Sequence, residues 1–137
     1  PIYSTLFDTK LNTDCAMRIA EDGKMRCLPG GAVGASGYWA DDKCTVKVML
    51  GACVAQPAQF YLSSAASSCG GEIRAEVFRL TLLDETAKRY VGSPANCSES
   101  GALPTGYLAY RLGEKVAAAE FVESRIATQT IVAPVPN

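Results

Sequence analysis

The sequence predicts an all-β fold of antiparallel hairpins stapled by disulfides, and three observations carry that expectation. Short apolar and aromatic segments recur about every ten residues, turn-forming residues separate them, and six cysteines occur in 137 residues. With 48% hydrophobic and 20% charged residues the composition is globular, and at this length one core suffices. Residues 1–137 therefore read as a single all-β domain of hairpin repeats.

Charge narrows the partners. Thirteen basic residues against fourteen acidic give a net charge of -1, without the basic excess that phosphate contacts require, so no nucleic acid partner is expected. No apolar run approaches the roughly 20 residues of a spanning helix, so no membrane span is expected either. The first residue is Pro1 rather than methionine. The sequence thus reads as a processed form or as part of a longer exported protein.

The cysteines are Cys15, Cys27, Cys44, Cys53, Cys69 and Cys97. They form no C-x-x-C pair and the chain has no histidine, so a disulfide framework is favoured over zinc and no cofactor is expected. Disulfides imply an oxidising compartment, hence a secreted or cell-surface location. Closing the shortest local loops gives the expected pairs Cys15–Cys27, Cys44–Cys53 and Cys69–Cys97.

Along the chain, Ile2 to Thr5 is strand-like by its β-branched and aromatic content. The hairpin that follows turns at Asp22-Gly23. A three-residue loop, Glu21-Asp22-Gly23, with Gly23 in the left-handed bulge position, pairs Ile19 with Met25 and Met17 with Cys27. This register puts one apolar face against a face carrying Arg18, Lys24 and Arg26, and a buried face fixes register. It also sets Cys15 diagonal to Cys27, so a bridge there requires the strand end to bend. The run GGAVGASG, residues 30–37, reads as a loop, and SSAASSCGG, residues 63–71, as an exposed connection. Helix competes at Thr81–Tyr90 and more strongly at Gly113–Arg125, which is expected to hold a turn or one short helical stretch leading into a strand. The tail IVAPVPN suits an extended edge or a linker.

A repeat emerges from the leucines. Leu28 precedes Tyr38, Leu50 precedes Phe60 and Leu80 precedes Tyr90 by ten residues each, and Leu112 precedes Phe121 by nine. VMLG at 48–51, FRLT at 78–81 and YRLG at 110–113 match in kind, and a cysteine tends to follow the aromatic. Units that cannot bury a face alone would stack as a propeller-like ring, a solenoid or a closed barrel.

Three motifs also carry a resemblance: Cys15 to Pro29 around Asp22-Gly23, Tyr38 to Cys44, and Arg111 to Val122. Together they resemble an uncharacterised family of cysteine-containing secreted proteins and lipoproteins of myxobacteria. The resemblance implies export and repetition, assigns no activity or catalytic residue, and implies that members extend upstream of Pro1.

For function, the missing histidine removes the usual general base and the Ser-His and Cys-His arrangements. Glu21-Asp22, Asp41-Asp42 and Asp84-Glu85 could in principle serve a carboxylate glycosidase, but adjacent acids point apart and acids in turns are solvated. The chain is therefore not expected to be an enzyme. Tyr38 and Trp39 beside Asp41 and Asp42 join an aromatic platform to carboxylate acceptors, which suits a sugar ring and makes a carbohydrate-binding (lectin-like) module the alternative. The leading expectation is an extracellular structural or adhesive protein that associates with itself or with another surface protein, as a subunit of a fibre or coat. Low net charge, small residues, stapled hairpins and extended termini suit such packing.

Overall fold

A computed structural model describes residues 6–30, 33–66, 69–84 and 86–123. The N-terminal segment 1–5, the tail from 124 onward and Glu85 lie outside the described residues. Among the described residues every strand ladder is antiparallel, with one isolated parallel bridge, Ala20 to Ala75, and a single turn of 3-10 helix at Ala118–Glu120.

Three strands, β1 (Leu6–Asp8), β2 (Thr13–Ile19) and β3 (Met25–Leu28), form a small sheet. Seven more, β4 (Val33–Trp39), β5 (Lys47–Ala52), β6 (Phe60–Ala66), β7 (Ile73–Leu82), β8 (Lys88–Ser93), β9 (Asn96–Ala102) and β10 (Tyr107–Val116), form a large sheet ordered β6-β7-β10-β5-β4-β8-β9. Among the described residues no ladder joins β6 to β9, so the large sheet is open, not a closed barrel.

The β2–β3 hairpin has the register its loop chemistry dictates: Ile19 faces Met25 and Met17 faces Cys27. Ala20 and Lys24 close the loop, and Gly23 at φ 82° occupies the left-handed position that a Cβ would strain. The faces differ from expectation: Met25, on the face expected to be buried, is exposed and Met17 and Ile19 are half-buried, while Leu28 and Arg26 on the opposite face are buried. Arg26 is buried, because its Nε and Nη2 donate to Asp22 Oδ2 at 3.1 and 2.8 Å while Nη1 donates to the Phe121 carbonyl at 2.7 Å. A guanidinium with its donors satisfied can be enclosed where a bare charge could not.

The repeat resolves into something else. VMLG, FRLT and YRLG lie on β5, β7 and β10, which are neighbours at the middle of the large sheet, with Leu80 opposite Leu112 and Leu50 opposite Ala109. Their likeness reflects a shared central position in one sheet. β6, which follows β5 in the chain, is separated from it in the sheet by two strands, β10 and β7. Among the described residues the like segments lie in one open sheet rather than in a ring, solenoid or barrel. The run 30–37 is largely β4, with Gly37 at φ 83° where the register to β5 shifts, and 63–66 belongs to β6. At Gly113–Arg125 the short helical stretch is present, but β10 precedes it, running to Val116, and residues 124 and 125 lie outside the described residues.

The small sheet packs over the β6-β7-β10 end. Ala20, Leu28, Phe60, Ala75, Val77, Val116, Ala118 and Phe121 make the core, and the Phe60 and Phe121 rings meet edge-on at 6.5 Å. Such an edge contact adds about 0.5–1.5 kcal/mol beyond burial. A bridge between Ala20 and Ala75 and the bond from Cys27 N to the Val122 carbonyl at 2.9 Å tie the small sheet to the rest.

Candidate functional site

The four residues proposed from sequence as a sugar platform lie together where β4 runs into the loop 40–46. The large sheet is weakly sewn here, since β4 and β8 share one bridge, Trp39 with Tyr90. Three other links reinforce the seam. Trp39 Nε1 donates to the Gly92 carbonyl at 3.0 Å, Cys44 on the loop is bonded to Cys97 on β9, and Arg89 of β8 sits 4.5 Å from the centre of the Tyr38 ring. The Gly92 position demands glycine, because a Cβ there would fall 2.1 Å from the Asn96 carbonyl oxygen.

Asp41 organises the loop from inside. Its Oδ1 accepts from Thr45 N at 2.9 Å and Val46 N at 3.0 Å, and its Oδ2 accepts from the Thr45 hydroxyl. The Thr45 hydroxyl first, then the Val46 amide, hold the carboxyl down to about 2. Cys44 sits at φ 52°, buried, in the turn that Asp41 caps. Of the four residues, then, Tyr38 is covered by a guanidinium, Trp39 is half-buried and bonded across the seam, and Asp41 is spent on its loop. Asp42 alone projects as an exposed side chain.

The cysteines pair differently from the local rule at two of three places. Cys15 is bonded to Cys27 across a Cα–Cα distance of 5.3 Å. This is possible because β2 pairs with β3 only as far as Ala16 and its start turns to β1, where Cys15 faces Leu6. Cys44 joins Cys97 rather than Cys53, and Cys53 and Cys69 are free and exposed. Those two cannot meet within one chain. Cys53 follows Ala52, opposite the start of β10 at Tyr107, whereas Cys69 lies in the β6–β7 turn beyond the end of β10 at Val116. The ten residues of β10 separate these ends by about 3.4 Å each.

The acids weighed for glycoside chemistry are engaged elsewhere. Glu21 pairs with Lys115 at 2.8 Å, Asp22 with Arg26, and Asp84 accepts from the Thr86 amide at 2.8 Å and its hydroxyl at 2.9 Å. The Thr86 amide and then its hydroxyl lower the Asp84 carboxyl, and the Arg26 guanidinium lowers that of Asp22. Glu85 lies outside the described residues. Among the described residues no group of three or more Cys, Asp or Glu could hold a metal ion, and no helix is long and apolar enough to cross a membrane.

A different feature went unread in the sequence: a groove of about 350 Å³ between the β1–β2 turn and the β5–β6 connection. Phe7, Asn12 and Asp14 form one wall and Gln56 and Gln59 the other. A smaller cavity of about 130 Å³ adjoins it, sharing Asp14 and Gly30. No short motif marks these residues, because the two walls come from segments over forty positions apart.

Fold and bonds together define a disulfide-stapled antiparallel β protein, a class consistent with an oxidising compartment. Within that class the chain belongs to a family of unknown function, DUF7481, which matches residues 2–116. No curated protein and no solved structure matches the chain. The family match carries nothing on a myxobacterial source or a lipid anchor.

Proposed function

We propose that the chain is a non-catalytic structural or adhesive module of an extracellular layer, associating with copies of itself through the open edges of its large sheet. The observation that supports this reading is the chemistry of the two outer strands. An edge strand offers unpaired N–H and C=O groups, and proteins that must stay monomeric blunt such edges with charge, proline or cover. β6, reading FYLSSAA, has no charged residue, and β9, reading NCSESGA, has Glu99 alone, itself paired with Lys88. β6 of one copy against β9 of the next continues the sheet, and a head-to-tail contact of this kind grows into a filament.

Sedimentation velocity and negative-stain microscopy over a concentration series test it. The wild type should associate with rising concentration, whereas Ser64→Lys with Ser98→Lys, both at exposed strand positions, should stay monomeric with an unchanged circular dichroism spectrum. A wild type that remains monomeric, or a double variant that assembles equally well, would overturn the proposal.

A further inference from the structure

We propose that the groove between the β1–β2 turn and the β5–β6 connection is a binding site for a neutral oligosaccharide, distinct from the Tyr38–Asp42 loop. Its volume of about 350 Å³ falls in the range of small-ligand sites. Asn12, Gln56 and Gln59 each present both a donor and an acceptor, and Asp14 presents acceptors, the complement of a ring bearing many hydroxyls. Among the described residues none of these four side chains has a hydrogen-bond partner in the protein. Phe7, 53% exposed, adds the flat apolar surface on which the C–H face of a sugar rests.

Both walls are fixed from behind. Asp8 is 4% exposed, and its Oδ1 accepts from Lys10 N at 2.9 Å and Leu11 N at 3.0 Å. That bond sets the turn that presents Asn12 at φ 56°. Opposite, the buried Tyr110 hydroxyl accepts from Ala58 N at 3.0 Å, and the Gln59 carbonyl accepts from Leu80 N at 3.0 Å. A groove whose polar groups are held in place before the ligand arrives loses less entropy on binding.

The charge selects the ligand class. Asp14 is the one charged side chain lining the groove, and no lysine or arginine lines it. A uronic acid or sulfated sugar would meet a like charge, while a neutral ring meets acceptors and amides. A peptide adding as a strand is read by main-chain bonds along a whole edge, whereas the groove presents side-chain amides and a carboxylate from two turns.

An array of neutral gluco-, manno-, galacto-, xylo- and N-acetylhexosamine oligosaccharides, printed beside uronic-acid oligosaccharides and lysine-containing peptides, tests the assignment. The wild type should bind at least one neutral series. Phe7→Ala and Gln56→Ala, both at surface positions, should each weaken binding about fivefold to tenfold while keeping the wild-type circular dichroism spectrum. Trp39→Ala should bind as the wild type does. Absence of neutral binding, binding confined to acidic sugars or to peptides, or binding that survives both groove variants would overturn it. Assembly is measured separately by sedimentation, so this site can fail while edge association stands, and the reverse.

Discussion

At the β6-β7-β10 end of the large sheet, Phe60, Val77, Val116 and Phe121 are sealed beneath the small sheet. At the other end no residue of β4, β8 or β9 is buried. One end holds by apolar area, the other by a disulfide, one bridge, an indole bond and a loop drawn around Asp41. The difference explains why a chain of this size carries a long-range disulfide at all. The Cys44–Cys97 bond crosses 53 positions and the Cys15–Cys27 bond only 12. In the chain-entropy account these correspond to about 4 and about 3 kcal/mol. The stronger constraint lies where packing is weakest.

Substitutions at the two ends break this comparison in graded ways. Phe121→Ala removes a ring that is 2% exposed at the centre of the core, and its cost should be about 3–5 kcal/mol in urea unfolding. Cys44→Ser with Cys97→Ser should cost up to about 4 kcal/mol in the same measurement. Trp39→Phe keeps the aromatic bulk but loses the bond to Gly92, a change of about 1 kcal/mol that urea unfolding also reads.

Asp41→Asn acts through pH. The folded carboxyl lies at about 2, below its ordinary 3.8, so the ionised form stabilises the loop above pH 3.8 and that support is lost as pH falls through about 2. The fluorescence of Trp39, the only tryptophan, should therefore change over this window in the wild type. In Asp41→Asn that acid-dependent change should be absent.

The packed end was the more legible in the sequence. Asp22-Gly23 made the β2–β3 register readable through its loop chemistry, but not the face that is buried, since Leu28 and Arg26 enter the core side while Met25 is exposed. Cys15–Cys27 was readable as a local pair. Arg26 was not, since its burial depends on Asp22 and on the Phe121 carbonyl arriving from 95 positions away. The seam was nearly illegible. Cys44 meets Cys97 only because β8 lies beside β4 while β5, β6 and β7, which separate them in the chain, lie on the other side of β4, and nothing local records that order. The likeness of VMLG, FRLT and YRLG was real as sequence and misleading as architecture, since similar central strands of one sheet need similar residues. The groove escaped for the same reason as the seam: Asn12 and Gln56 are brought together by a crossover.

Hydrogen exchange in native buffer on the Cys44→Ser, Cys97→Ser chain tests the contrast between the two ends most directly. Amides of β8 and β9, Val91 among them, should exchange far faster than in the wild type, while those of Val77 and Val116 keep a protection set by the remaining core. Loss of protection together at both ends, or its retention at both, would contradict the account.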